Sequence, residues 1–356
     1  MNKHNSLIKK IKKQILSINN LIESYFNQIK YFKLNYKKIL FKKDNRVVLA
    51  LGILVILTLF YFLIPTFYNK DIIQQQIKNQ ILKNYNIKIN FNKKINYGLL
   101  PKPHFSAKDL SIYRGKKEIG VSKNLRIYIG VGKFFSINKI DMKDLAFNNT
   151  DFNIAFDDII FFRELLKTEP NENKILIKKS NIFFKNKDDE VLFINKVINS
   201  EFFYDSKNLQ NILISKSEVF KIPYRLIIKN DKFNKNIFKK FNSKKIRLKI
   251  DNEIYYDNLE KEGQLDILFV NKNTSLKYQI TKDSFSFTSE GNKNFYEGII
   301  DFKPFYPNAK FNYEGLSSKN LFDDNSIIID LINSEILNNK NLSAKINLDV
   351  KDITNI

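Results

Sequence analysis

Gly130-Val-Gly-Lys133 ends as a phosphate-binding loop ends, with a lysine behind a tight glycine turn. The rest of that device is missing. Ile127 stands where the loop's first glycine belongs, and Phe134 replaces the Ser or Thr that would hold Mg2+. The segment reads as a strand turn. Asp157-Asp158 and Asp188-Asp189-Glu190 offer neighbouring carboxylates for a cation or for acid–base work. Neither has the spacing or the glycine of a Ca2+ loop, so both read as surface turns. His104 lies between Pro103 and Phe105, and the only other histidine is His4. With no Cys in the chain and no Ser on a nucleophile elbow, no triad can be assembled around His104. The same counts exclude disulfides and Cys- or His-rich zinc sites. Asn148-Asn149-Thr150 and Asn273-Thr274-Ser275 fit a glycosylation pattern that short sequences often meet by chance. The expectation is a protein that is not an enzyme, with no catalytic residue, no metal ligand and no cofactor.

Composition narrows the remaining classes. The 356 residues carry 60 Lys+Arg against 37 Asp+Glu, a formal charge of +23. Only six of the basic residues are Arg. Arg is the side chain that grips phosphates and guanine edges with two bonds at once, so a Lys-heavy, Arg-poor chain reads as a solvated surface and not as a nucleic-acid binder. A hydrophobic fraction of 43% with 32 Phe and 17 Tyr is enough for a real core. Ten Gly are too few for flexible low-complexity structure.

The elements that would position any function begin with a membrane span. Residues 47–64, from Val47 through Leu51 and Leu57 to Ile64, contain no charge. At about 1.5 Å per residue they give roughly 27 Å of helix, close to the hydrocarbon thickness of a bilayer. Lys42, Lys43 and Arg46 flank one end; Tyr61, Phe62, Phe67 and Tyr68 flank the other, where aromatic rings favour the interface. Basic residues dominate 1–46, so that side is expected in the cytoplasm, with the rest translocated behind an uncleaved anchor.

Residues 1–46 hold Ile8, Ile11, Ile15, Ile18, Ile22, Tyr25, Ile29, Phe32, Tyr36 and Ile39 in a three-four spacing without Gly or Pro. This predicts one long helix. It serves either as a coiled coil that self-associates through residues 8–39, or as a basic amphipathic helix on anionic lipid. Residues 65–98 predict a connecting helix, with apolar positions 72, 73, 77, 81, 82 and 85, then a first strand at Ile87, Ile89 and Phe91. Residues 99–356 are mostly β. Alternation recurs at Leu125, Ile127, Ile129; at Leu226, Ile228; at Leu248, Ile250; at Leu265, Ile267; and at Leu342 to Val350, with Asn/Asp/Lys clusters as turns. Short helices are expected near 158–167 and 324–337. The fold class that follows is mainly β with N-terminal helices: one transmembrane helix, then an elongated, curved, antiparallel sheet. The spacing fits an open groove and a closed barrel equally.

The order of elements after the span resembles the N-terminal region of AsmA-family envelope proteins, relatives of the TamB-like bridge proteins. The residues that carry the resemblance are Pro65-Thr-Phe-Tyr68 with the 71–85 helix; Tyr85 to Phe91; Tyr97-Gly-Leu-Leu-Pro-Lys-Pro-His-Phe-Ser-Ala-Lys-Asp-Leu-Ser-Ile112; Ile119 to Ile129; and Phe134 to Phe147. Ile175 to Phe184 with Asp188 to Phe193 looks like a further strand pair. The resemblance covers about 47–200, and 320–350 more weakly. It implies a single-pass protein of the inner membrane of a Gram-negative-type bacterium, cytoplasmic at its N-terminus and periplasmic in bulk. It also implies a β-groove that shields lipid tails and supports outer-membrane assembly and lipid homeostasis.

Physical chemistry points the same way. A sheet rich in Phe and Ile with few helices to cover it must close on itself or shelter an apolar ligand. Each buried acyl CH2 contributes about 0.8 kcal/mol. The expected groove lining is Ile127, Ile129, Leu226, Ile228, Leu248 and Ile267, and the expected partner is phospholipid. The alternative is an envelope scaffold that docks a protein partner.

Overall fold

The computed structural model describes residues 43–155, 158, 161, 173–186, 188–255, 262–269, 272–289, 295–313, 316–317, 329, 333–334, 336, 339–351 and 353–354. The predicted helix of residues 8–39 lies outside them. So do the predicted helices near 158–167 and 324–337, apart from a few single residues. The chain divides into two units, Met1–Tyr61 and Phe62–Ile356.

The first unit is described from residue 43 onward. Helix α1, Lys43–Leu63, has apolar residues on every side, and its side chains from Arg46 to Phe60 are exposed all round. With a 3-10 turn at Ile64–Phe67 it gives a stretch, Arg46–Phe67, long and apolar enough to cross a membrane, with mean hydropathy 3.0. Val47, Leu51 and Leu57 all lie on it. A helix uniformly greasy and uncovered suits lipid and not a soluble core.

The second unit opens with α2, Lys70–Tyr85. Asn69 caps it by accepting from the N–H groups of Asp71 (3.0 Å) and Ile72 (3.3 Å). Asn86, left-handed at φ 53°, ends it. The helix buries Ile73, Ile77, Ile81 and Tyr85, one residue every four. Ile72 and Leu82, also in the predicted stripe, face outward.

Strands follow: β1 Lys88–Phe91, β2 Asn96–Gly98, β3 His104–Arg114, β4 Lys117–Ile129, β5 Met142–Ala155, β6 Ile175–Lys185, β7 Val191–Asp205, β8 Gln210–Val219, β9 Ile222–Asp231 and β10 Asn236–Ser243. Then come β11 Leu248–Tyr255, β12 Glu262–Phe269, β13 Lys272–Ile280, β14 Ser284–Ser289, β15 Phe295–Phe302, β16 Phe305–Tyr313, β17 Leu316–Ser317, β18 Lys345–Val350 and β19 Ile353–Thr354. All but β17 and β19 belong to one open, curved sheet of 17 strands. β1 and β2 pair with the two ends of β3, and from β3 to β16 each strand pairs with the next in sequence. At about 4.8 Å per strand the sheet runs roughly 70 Å across.

The sheet is mixed, where antiparallel pairing throughout was expected. β5–β6 and β16–β18 are parallel. Parallel neighbours need a long crossover, and the chain supplies it in 156–174 and 314–344. The helices predicted near 158–167 and 324–337 fall in these two connections.

Candidate functional site

Pairing registers decide which side chains share a face. On β3, Phe105 and Ala107 point inward; so do Leu110 and Ile112, three residues on and not two. The same shift occurs at Ser122/Leu125 in β4, Phe147/Thr150 in β5, Ile177/Ser180 in β6 and Val197/Ser200 in β7. Five neighbouring strands are therefore bulged on one row, and Asp109, Asn149 and Lys179 take left-handed backbone there (φ 52°, 52° and 49°). Buried hydroxyls answer the polar backbone freed by the bulges. Ser122 Oγ lies 2.7 Å from Thr150 Oγ1, Thr150 N–H donates to Ser180 Oγ (3.1 Å), and Ser180 Oγ donates to the Lys178 carbonyl (2.8 Å).

The inner face of β3–β5 is sealed. α2 is tied on one flank to the β1–β2 link, through Gln74 to the Lys93 carbonyl (3.3 Å) and Lys70 to Asn96 (3.3 Å). Its other flank is tied to the loop before β5, where Gln76 and Gln80 donate to the carbonyls of Asn138 and Ile140. β3 and β4 lie between those anchor points, so the apolar stripe of α2 covers them. Phe105, Leu110, Leu125, Ile127 and Leu145 are at most 2% exposed. Ile127 and Ile129, expected to line a groove, lie on the inner face. Their exposure is 0% and 6%, so they are core under the helix, and a ligand cannot reach them without displacing it.

From β8 onward the same face is only half-buried. Leu226 pairs with Phe241, Phe241 with Ile250, and Ile250 with Ile267, in a row that crosses four strands. Ile228 sits one position along, and Leu248 pairs with Phe269. Thus Leu226, Leu248 and Ile267 have apolar cross-strand neighbours, whereas Ile228 lies opposite Lys239; all four are half-buried. Farther on, Leu276 and Tyr296 are buried in a cluster with Leu265, Ile267, Phe269, Phe287, Phe311 and Val350. No acidic residue occupies the inner-face register positions from β8 to β18 among the described residues. The outer face is mostly Lys, Asp, Glu, Gln, Ser and Asn, with pairs such as Lys249–Asp251 (2.7 Å), but also carries Ile214, Ile227, Phe238, Leu268 and Ile299. Two glycines face rings on the inner side. A Cβ on Gly263 would meet the Tyr278 ring, and one on Gly298 would lie 2.6 Å from the Phe287 ring, so both rings lie flat against backbone. Phe241, Ile250, Phe287 and Phe311 add to the lining expected from the sequence. Phe285-Ser-Phe287 carried the signal, an aromatic at every second position.

Curvature brings distant strands near each other at one end. A cavity of about 800 Å3 is lined both by the β6–β7 turn (Lys185, Asn186, Asp188, Asp189) and by the β15–β16 turn (Phe302 to Tyr306). Asn339 and Asn341 lie beside it, donating to the backbone carbonyls of Leu192 (2.6 Å) and Val191 (2.9 Å).

The described residues singled out for catalytic potential each make structural contacts. Asp158, 4% exposed, accepts from Arg114 (2.9 Å), Lys117 (2.7 Å) and the Ala155 N–H (2.9 Å). Burial alone would raise its carboxyl, but the bonds from Lys117, Ala155 and Arg114 outweigh this and hold it below the usual range. It clamps the β3–β4 hairpin and does not act as a proton donor at neutral pH. Asp157 lies outside the described residues. Asp188 and Glu190 close a turn on Asn186 Oδ1 (2.9 Å each). His104 is buried, bonded to the Lys102 carbonyl (2.8 Å) and packed on Gly98. Gly130-Val-Gly-Lys133 is a 3-10 turn after β4. Among the described residues no group of three or more metal-ligating side chains converges.

Fold and site define a class: a β-rich chain with one membrane-length helix among its described residues and a long open sheet whose inner face is mainly apolar, with Lys239 and Lys272 on it. No family model matches this chain, and no curated protein matches it.

Proposed function

We propose that this protein is a membrane-anchored, AsmA-like lipid carrier. In this reading the inner face of β8–β16 shelters the acyl chains of phospholipid, and the protein serves lipid homeostasis and outer-membrane assembly from a bacterial inner membrane. One observation carries the proposal. The row Leu226–Phe241–Ile250–Ile267 is continuous across four strands, apolar, and left half-buried. An acyl chain laid along such a row gains about 0.8 kcal/mol per methylene removed from water. The mostly polar outer face lets the opposite side of the sheet meet water.

The test is native mass spectrometry of the full chain, with extraction and identification of bound lipid. The wild type should carry phospholipid. A Leu226→Asp, Ile267→Asp double variant should melt cooperatively yet lose it. Equal lipid in a folded double variant overturns the reading. A lipid-free wild type in stoichiometric complex with another protein would favour the scaffold alternative.

A further inference from the structure

We propose that the foot of the β unit is a second membrane-contacting surface, which dips two loops into the headgroup layer of the bilayer that α1 crosses. This stands on the membrane helix and is independent of the groove.

The end of α1 is held to the foot. Tyr97 OH donates to the Phe62 carbonyl (2.6 Å), and the Phe62 ring meets the Phe134 ring edge-on at 6.2 Å. Tyr68 OH donates to the Phe134 carbonyl, and the Asn69 N–H to Asn138 Oδ1 (2.8 Å). The loop of residues 130–141 and the β2–β3 connection are thereby fixed next to the point where the helix leaves the bilayer. Both loops carry large apolar side chains that are exposed. Leu100 is 81% exposed, Phe135 76% and Ile137 71%, and Val131 is exposed beside them. Phe67, 86% exposed in the 3-10 turn, continues the patch from the span itself. Exposed Lys102, Lys133 and Lys139 stand among them, and the one acid of 99–103 and 130–141 is Asp141, paired with Lys143 at 3.3 Å. A soluble surface seldom leaves such side chains bare on neighbouring loops. Aromatic and aliphatic tips interleaved with lysines suit the boundary between acyl chains and anionic headgroups. Continuity with the end of the helix selects a bilayer as the occupant over a protein partner.

The chain has no Trp, so single tryptophans report position cleanly. Leu100→Trp, Phe135→Trp, Phe60→Trp in the span and Phe233→Trp in the distant β9–β10 turn, itself 80% exposed, would each be placed in the full chain. The proteins go into vesicles of phosphatidylethanolamine and phosphatidylglycerol brominated near the headgroup end of the acyl chains. The expected result is a blue-shifted emission at positions 100 and 135, quenched several-fold more than at position 233. Two loops are probed so that one misfolded variant does not remove the test. Quenching at both no greater than at position 233 overturns the proposal. So does blue-shifted emission that the brominated lipid fails to quench, which would mean the foot is covered by protein.

Discussion

The same pleated face meets two fates along this sheet. Over β3–β5 it lies under α2 and is dry; over β8–β16 the described residues leave it half open. Residue types hardly differ between the two stretches: Ile, Leu and Phe alternate with polar residues in both. What differs is one sixteen-residue amphipathic helix tied down on both flanks. A greasy strand face is therefore not by itself a site. Where the described residues provide no second layer, the face stays half-buried, and it is there that the proposed ligand would lie.

The sharpest break of this comparison is a buried charge. Ile127→Asp places a carboxylate where exposure is 0%, with a cost of several kcal/mol. The foot should lose its cooperative melt or become protease-sensitive. Leu226→Asp, on the half-buried row, should leave the melt within about 1 kcal/mol of wild type. Equal destabilisation by the two would erase the distinction between core and groove. Next in size is a cavity. Ile77→Ala under α2 should cost about 2–5 kcal/mol, since Ile77 is fully buried, while Ile250→Ala should cost clearly less. Denaturant midpoints measure both.

Much of this was written in the sequence. The span, the connecting helix and the β-rich remainder follow from hydropathy and from periods of 3.6 and 2. The two parallel pairings were not visible, because strand alternation says nothing about direction; only the long connections hinted at them. The bulge row hid for a different reason. Its inward positions are Ser122, Thr150 and Ser180, so the apolar alternation seems to stop where it only changes phase. Several turns also lacked their usual mark. Leu209, Phe220, Lys221 and Arg247 adopt left-handed backbone (φ 55°, 51°, 62° and 49°), a conformation that normally advertises itself through Gly or Asn. Ile127 and Ile129 were placed on the right face, but which stretch of that face α2 covers depends on tertiary packing that no local pattern encodes.

Asp158 sharpens the boundary between foot and groove at smaller scale. Asp158→Asn removes the charge that Arg114 and Lys117 share but retains an acceptor for the Ala155 N–H; a loss of about 1–3 kcal/mol is expected at neutral pH. The folded carboxyl is held below its unfolded value, so its contribution is full above the unfolded pKa and disappears as pH falls through the folded one. Wild type and variant should therefore converge in stability in acid, with the gap closing below about pH 4. A gap that persists there would show that the loss comes from packing and not from the ion pairs.

The smallest effect is also the most selective. Asn69→Ala deletes the side-chain oxygen that caps α2 while leaving the backbone N–H bonded to Asn138. Losing such a cap costs about 1 kcal/mol. If α2 only seals the foot, that loss should appear as faster hydrogen exchange in the first turn of α2 and in β3, with lipid retention by β8–β16 unchanged. If retention falls in step with the cap, the helix acts on the open stretch as well, and the two stretches behave as one cooperative unit.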